Sequence, residues 1–363
     1  MNHQLAIIGQ NYIVSWFAIF SFIGCLAGFL TACILRRTQN RYVSDVFIVM
    51  TFGVPLGLIF GRVFYCLFAA SEYNSIWQMV QLSVGGYGLF GAMFGVFLAA
   101  VLTKKMFGVQ GWGELLDCLA IGGALAVAVG RFASYFSGVE IGYEVPFDVL
   151  TIYIPEDDLH VLAVYWLDGI YEAVVWLICL FFYRYVRRKG EKERSGGLTA
   201  LLMLALHGTN AVIMESMRSD ALKLGANDFI KVSQILGITC CVAVTVTFLA
   251  LTVKRSGFHW KDVFFLLAII VCVVLGVIAE WRVGKGDYIR KHLLMLASMA
   301  ALGAIAIRYG VKASLPSKTE KEAAPEKQSL KGSRRQQSRK RRISHGEAEH
   351  IIAAFKDSAG NEI

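Results

Sequence analysis

Nine stretches of about 20 mostly apolar residues recur along this chain, at about 13–35, 45–70, 83–103, 113–136, 165–187, 196–218, 230–253, 262–281 and 292–310. A helix of that length crosses the roughly 30 Å hydrocarbon core of a bilayer, and it satisfies its own backbone groups in lipid. Only 17% of the residues are charged against 56% hydrophobic, a balance foreign to soluble domains. The alternating pattern of a transmembrane barrel is absent. The predicted fold class is all-α: a polytopic integral membrane protein with about nine transmembrane helices.

Loop charge predicts the topology, because Lys and Arg collect on the cytoplasmic side. Arg36, Arg37 and Arg41 follow span one, Lys104 and Lys105 span three, and Arg184, Arg187, Arg188, Lys189, Lys192 and Arg194 span five. Lys254, Arg255 and Lys261 follow span seven. Segments 71–82 and 137–164 contain no Lys or Arg, and the second carries Glu140, Glu144, Asp148, Glu156, Asp157 and Asp158. The N-terminus is therefore predicted outside and the C-terminus in the cytoplasm. The loop after span eight, with Arg282, Lys285, Arg290 and Lys291, goes against this rule. The last two spans either complete the alternation or form a loosely attached pair.

Three segments follow: a seven-span domain over 1–253 with a small outer cap at about 137–164, two further helices over 254–312, and a basic tail over 313–363. The tail is rich in Lys, Arg, Glu, Ser and Gln and is predicted to be disordered. Its run Arg339–Arg342 either holds anionic lipid or is simply solvated. Nothing resembling a nucleic-acid-binding fold accompanies it, so no nucleic-acid partner is expected. The first 12 residues lack a basic n-region and run straight into a full span, unlike a cleavable signal. Cys25, Cys33, Cys66, Cys118, Cys179, Cys240, Cys241 and Cys272 all fall in spans, with no CxxC pair and no His/Cys set at metal-ligand spacing. They read as small packing residues, and no metal or cofactor is called for.

Polar residues converge in the outer half of the spans. Span two has Gly53, Gly57 and Gly61 on one face, suited to close helix packing, a helix-bending Pro55, and then Arg62 and Tyr65. Span three opens on Gly85, Gly86, Gly88 and Gly91. Span four ends in Gly130-Arg131-Phe132-Ala133-Ser134-Tyr135-Phe136-Ser137-Gly138-Val139-Glu140-Ile141-Gly142. Span five begins with Asp168, Tyr171 and Glu172. Span six carries His207, Asn210, Glu215 and Arg218, whose offsets of 3, 8 and 11 share a helical face. Taken singly, each has a plain reading: Arg62 and Arg218 snorkel, Glu172 pairs with one of them, His207 packs, and Tyr65 and Tyr171 are interfacial aromatics. Taken together they describe a polar pocket open to the outer leaflet, because ionisable groups at membrane depth are rare and functional. Arginines there suit a phosphate, and the phosphate at hand is a lipid head group.

Over about residues 10–250 these motifs resemble the prolipoprotein diacylglyceryl transferase family, in the family's order. Ile13-Val-Ser-Trp16-Phe17 resembles its first-span Trp-Tyr-Gly element, and Gly61-Arg62-Val-Phe-Tyr65 its Gly-Ala-Arg-Leu-Tyr-Tyr. Gly85-Gly86 through Gly91 and Gly95 resembles its Gly-Gly-x-x-x-His-Gly-Gly. The stretch from Gly130 to Gly142 resembles its signature Gly-Arg-x-Gly-Asn-Phe-x-Asn-x-Glu-x-x-Gly. Tyr171-Glu172 resembles Gln-Leu-Tyr-Glu. Gly197-Leu198 through Glu215 and Arg218, with Ser233-Gln234-Ile-Leu236 after it, resembles its sixth-span block. Several positions depart: Phe90 stands for the family histidine, Phe17 for a tyrosine, Ser134 and Ser137 for asparagines, His207 for a tyrosine and Ala211 for an arginine. The signature glutamate falls one residue late, at Glu140 behind Val139.

The resemblance implies an enzyme of bacterial lipoprotein biosynthesis in the cell membrane. It would move diacylglyceryl from phosphatidylglycerol to the lipobox cysteine of a prolipoprotein signal peptide. A thiol is a weak nucleophile at its free pKa of about 8.5, so a base is needed, and the departing glycerol phosphate needs fixed cations. The catalytic set implied here is Arg131, Glu140, His207 and Glu215, with His207 or Glu215 as base. Phospholipid binding falls to Arg131, Arg62, Arg218, Tyr171, Ser134 and Gly142. Two other readings stay open: the same pocket serving another acceptor or head group, and a non-catalytic phospholipid- or lipoprotein-binding relative. A transporter would show an internal repeat or paired broken helices, and neither is visible.

Overall fold

The computed structural model describes residues 4–8, 12–81, 85–154, 158–189, 196–224, 231–283 and 288–315. The predicted disordered tail from 316 onward lies outside the described residues, as do Glu156, Asp157, Lys192, Arg194 and Lys285. A hairpin of β1 (Gln4–Ile8) and β2 (Tyr12–Ser15) leads into α1 (Trp16–Thr38), whose first turn is capped by the Ser15 hydroxyl accepting from the Ala18 N–H at 3.3 Å. Then come α2 (Ser44–Phe68), the short α3 (Ile76–Val80), α4 (Leu89–Phe107), α5 (Trp112–Ala133), β3 (Thr151–Ile154), β4 (Leu159–Leu162), α6 (Val164–Lys189), α7 (Leu198–Met217), α8 (Val232–Ser256), α9 (Trp260–Val283) and α10 (Tyr288–Ser314).

Among the described residues, nine helices are long and apolar enough to cross a membrane. The chain is an all-α multi-pass membrane protein. The third span begins later than expected, at Leu89 rather than near 83. Gly85 and Gly86 take left-handed φ of 77° and 80°, outside the helical region. Pro55 lies within α2 without ending it.

Helix α5 is the hub, packed against α1, α6 and α7. Glycines make the tightest contacts: Gly28 of α1 and Gly122 of α5 face each other's carbonyls so closely that a Cβ on either would collide. Helices α2 and α4 form a second close pair, with Gly91 and Gly95 lying on the Phe60 and Leu56 carbonyls. Helix α7 is buried on every side from Ala205 to Asn210. Its N-terminus is held by Asp117 of α5, which accepts from the N–H groups of Gly197 and Ala200, both at 2.9 Å.

The last pair is not loosely attached. Helix α10 lies on α7 and α8, with Gly303 against Leu206 and Gly310 against Phe248 and Phe182. The Tyr309 hydroxyl donates to Asp262 of α9 at 2.9 Å. The start of α10 lies at the cap end of the bundle, where His292 meets the Ser216 carbonyl.

The cap is built on the antiparallel pair β3–β4, with Thr151 opposite Leu162 and Ile154 opposite Leu159. Residues 142–145 run alongside β4: Gly142 N–H donates to Leu162 O at 2.7 Å and Val145 N–H to His160 O at 2.9 Å. A Cβ at Gly142 would lie 2.8 Å from that of Leu162, so glycine is what lets the chain pass there.

Candidate active site

Arg131 sits in the last turn of α5, just before a 3-10 turn at Ser134–Phe136. The chain then reverses through Gly138 (φ 69°) and Glu140 (φ 65°). A left-handed non-glycine residue is uncommon and marks a locally imposed conformation. With this backbone Val139 faces outward, while Glu140 is turned inward and buried. Its carboxylate pairs with Arg131 Nη1 and lies 3.6 Å from Arg218 Nη1. One glutamate therefore bridges guanidiniums from α5 and from the C-cap of α7.

A polar chain continues inward from Arg131. Its Nε is 3.0 Å from Asp168 Oδ2 on α6. The Asn210 amide donates to Asp168 Oδ1 at 2.6 Å and to Glu172 Oε1 at 2.7 Å. Glu172 Oε1 lies 2.6 Å from His207 Nδ1. Asp168, Glu172, His207 and Asn210 are each at most 2% exposed. Buried polar groups persist when they are bonded to one another, and this chain ties α5, α6 and α7 through side chains. Glu140, Glu172 and Glu215 each keep one buried oxygen without a hydrogen-bond partner among the described residues.

Arg218 is held from the other side. Glu215 Oε1 is 3.4 Å from its Nη1, and Asp220 Oδ1 accepts from its Nε at 3.0 Å. Asp220 Oδ2 also accepts from the Glu140 backbone N–H at 3.0 Å, and the Ser219 N–H and hydroxyl donate to Ile141 O at 3.0 and 2.9 Å. The cap loop is thus laced to the end of α7.

An apolar cavity of about 780 Å³ lies between the α2–α4 pair and the faces of α5, α7 and α8. Phe64, Phe94, Leu119, Met203 and Leu204 line it, and so does Phe90. The Phe90 ring lies 5.3 Å, centroid to centroid, from the His207 ring. No described residue hydrogen-bonds His207 Nε2.

The other expected residues divide. Arg131, Glu140, His207, Glu215 and Arg218 belong to one connected cluster. Tyr171 is next to it, with its hydroxyl 2.9 Å from that of Thr209. Ser134 is buried and turned back onto the Gly130 carbonyl at 3.4 Å, and Gly142 shapes the cap. Arg62 stands apart. Its guanidinium donates to the carbonyls of Gln78, Met79 and Gly86 and to the Tyr73 hydroxyl, at 2.9–3.0 Å. Those bonds tie α3 and the glycine loop to α2, and no contact joins Arg62 to Arg131. Asp168, Glu172 and Asn210, named among the converging polar residues, stood in neither the catalytic nor the binding set, and Asp220 was not named at all. The four-residue spacing of Asp168 and Glu172 and the three-residue spacing of His207 and Asn210 were their signals.

Residues 4–250 match the profile of prolipoprotein diacylglyceryl transferase. The chain belongs to the prolipoprotein diacylglyceryl transferase family. Among its relatives are proteins named phosphatidylglycerol–prolipoprotein diacylglyceryl transferase from three bacteria. That of Finegoldia magna is 21% identical over 63% of this chain and 88% of the relative. That of Clostridioides difficile is 23% identical over 62% and 87%, and that of Thermotoga maritima 24% over 69% and 84%. The whole Arg131–His207 chain lies inside the segment matched by the diacylglyceryl transferase family. Helices α9 and α10 lie beyond it.

Proposed function

We propose that this protein transfers the diacylglyceryl group of phosphatidylglycerol to the thiol of a lipobox cysteine in a prolipoprotein signal peptide, at the outer leaflet of the plasma membrane. The observation that carries the reading is the joining of two unlike features at one place. An apolar cavity able to take acyl chains is lined by Phe90, and the buried His207–Glu172–Asn210–Asp168–Arg131 chain begins at the ring packed on it. The relatives' names supply the donor and the acceptor class. The orientation, N-terminus outside and C-terminus cytoplasmic, draws on the basic residues Arg36, Arg41, Lys104 and Arg187 at the end opposite the cap.

The chemistry divides among these residues. Glu172 holds His207 Nδ1, so Nε2 is the atom that takes the thiol proton. The thiolate attacks the carbon of the diacylglyceryl unit that carries the phosphate. A C–S bond forms, the C–O bond breaks, and glycerol phosphate leaves with the electron pair. His207 then returns its proton to the leaving group. Arg131 and Arg218 meet the phosphate charge in a fixed, low-dielectric setting. Glu140 bridges the two guanidiniums, and a phosphate engaging both would replace that bridge. Glu215 is itself paired with Arg218 and acts by orienting it.

The alternative, a relative that binds phospholipid or lipoprotein without transfer or with other specificity, draws on two observations. Both guanidiniums already have carboxylate partners, and position 90 holds a phenyl ring. Purified full-length chain, phosphatidylglycerol vesicles and a lipobox peptide distinguish the two. Release of glycerol phosphate with matching peptide mass gain supports transfer. Lipid binding with neither product supports the alternative.

A further inference from the structure

Helix α7 carries His207, Asn210 and Glu215 and presents Arg218 at its C-cap, so the placement of its last turn sets the geometry of the cluster. The final carbonyls of a helix have no donors of their own, and positive charge is favoured beside them. Here two side chains from outside the helix meet them. Lys231, the residue before α8, donates from Nζ to the Glu215 carbonyl at 2.5 Å. His292 of α10 places Nε2 3.4 Å from the Ser216 carbonyl.

Lys231 is only 2% exposed, and a buried ammonium needs a counter-charge. The carboxylate of Glu280, on α9, lies 3.7 Å away. The Tyr143 ring of the cap lies 5.7 Å from the same ammonium. Glu280 and His292 come from the two helices beyond the segment matched to the family.

We infer that α9 and α10 are part of this chain's site, with Glu280 holding Lys231 so that Lys231 and His292 together fix the last turn of α7 and, through it, Glu215 and Arg218. Lys231, Glu280 and His292 are positioning residues: none touches the reacting atoms. Without Glu280 the ammonium is drawn toward the Glu215 side chain or gives up its proton. Either way the Glu215 carbonyl loses its charged donor and the Arg218–Glu215 pair shifts. A displacement of about 1 Å at a reacting site can cost about 10²-fold in rate. The rate consequence rests on the transferase reading, whereas the fixing of α7 does not.

The test uses the full chain in detergent or nanodiscs with Glu280→Gln, Glu280→Asp, Lys231→Met and the double variant Lys231→Met/Glu280→Met. Hydrogen exchange is read over 213–220, with 20–35 of α1 as internal reference. Expected for Glu280→Gln and Lys231→Met is faster exchange over 213–220, by about tenfold or more as the local opening energy falls, and none at α1. With phosphatidylglycerol and a lipobox peptide, kcat falls about 10- to 100-fold while KM stays within about twofold, and Glu280→Asp restores most of it. The double variant separates stability from position, because an apolar replacement of a buried pair is often neutral for stability: its Tm is kept and its kcat is not. Unchanged exchange over 213–220 in the single variants overturns the inference, as does unchanged kcat in an active enzyme. A wild-type chain that transfers nothing defeats the transferase reading, and the exchange result still decides this one.

Discussion

The imidazole of His207 and the phenyl ring of Phe90 lie 5.3 Å apart between centroids, one on α7 and the other on α4. A phenyl ring from one helix thus packs directly on a histidine from another. General-base assistance is worth about 10²–10⁴-fold, so His207→Ala should slow glycerol phosphate release by that order while the fold survives. The exchange Phe90→His with His207→Phe keeps two rings in contact and returns a base to α4, and it should recover at least part of the loss. An unaffected His207→Ala rate contradicts the base assignment.

Glu140 does two things that separate in a pair of variants. Its carboxylate bridges Arg131 and Arg218, and its backbone is left-handed at φ 65°. Breaking a buried pair costs about 3–5 kcal/mol. Glu140→Ala should fall at the low end of that range, because Asp168 and Asp220 still hold the guanidiniums. Glu140→Gly loses the same carboxylate but relieves a left-handed conformation that costs an L-residue about 1–2 kcal/mol. Thermal unfolding should therefore rank wild type above Glu140→Gly and Glu140→Ala lowest.

Arg62 should behave as a structural residue. Its guanidinium meets three carbonyls and one phenol, all between residues 73 and 86. Arg62→Met leaves those part-buried acceptors without a charged donor, at up to about 1–3 kcal/mol for each group left unsatisfied. The expected result is a lowered Tm accompanying any loss of activity. A raised KM for phosphatidylglycerol at unchanged Tm points instead to phosphate binding.

Two glycines test the apolar cavity. Gly123 lines it, and a Cβ there meets nothing within 4 Å. Gly123→Leu should raise KM for phosphatidylglycerol by about tenfold, equivalent to about 1.4 kcal/mol of binding, with little change in Tm. Gly95 faces the Leu56 backbone, so Gly95→Leu forces α2 and α4 apart and should lower Tm. Equal KM for Gly123→Leu and wild type removes acyl chains from this cavity.

The spans were legible because a bilayer demands long apolar runs, and the polar cluster because charge in such runs is conspicuous. What stayed hidden depended on three-dimensional choices. Arg62 and Arg131 look alike in sequence, each in the outer half of a glycine-bearing span, and only the carbonyls folded against Arg62 separate them. Sequence places Glu140 beside Val139 without saying which of the two turns inward, and the left-handed φ of Glu140 decides it. Helix rotation brought Asn210 between Asp168 and Glu172, which spacing alone suggests but does not specify. The tight seat of α10 comes from small residues, Gly303 and Gly310, meeting Leu206 and Phe248, a match that hydropathy does not show.

Transfer itself is tested most directly in cells depleted of their own diacylglyceryl transferase and supplied with this chain, by intact-mass measurement of a reporter lipoprotein. A gain of one diacylglyceryl group at the lipobox cysteine, abolished by Arg131→Gln, is the result predicted here. An unmodified reporter in cells that express the chain well and insert it into the membrane contradicts the account.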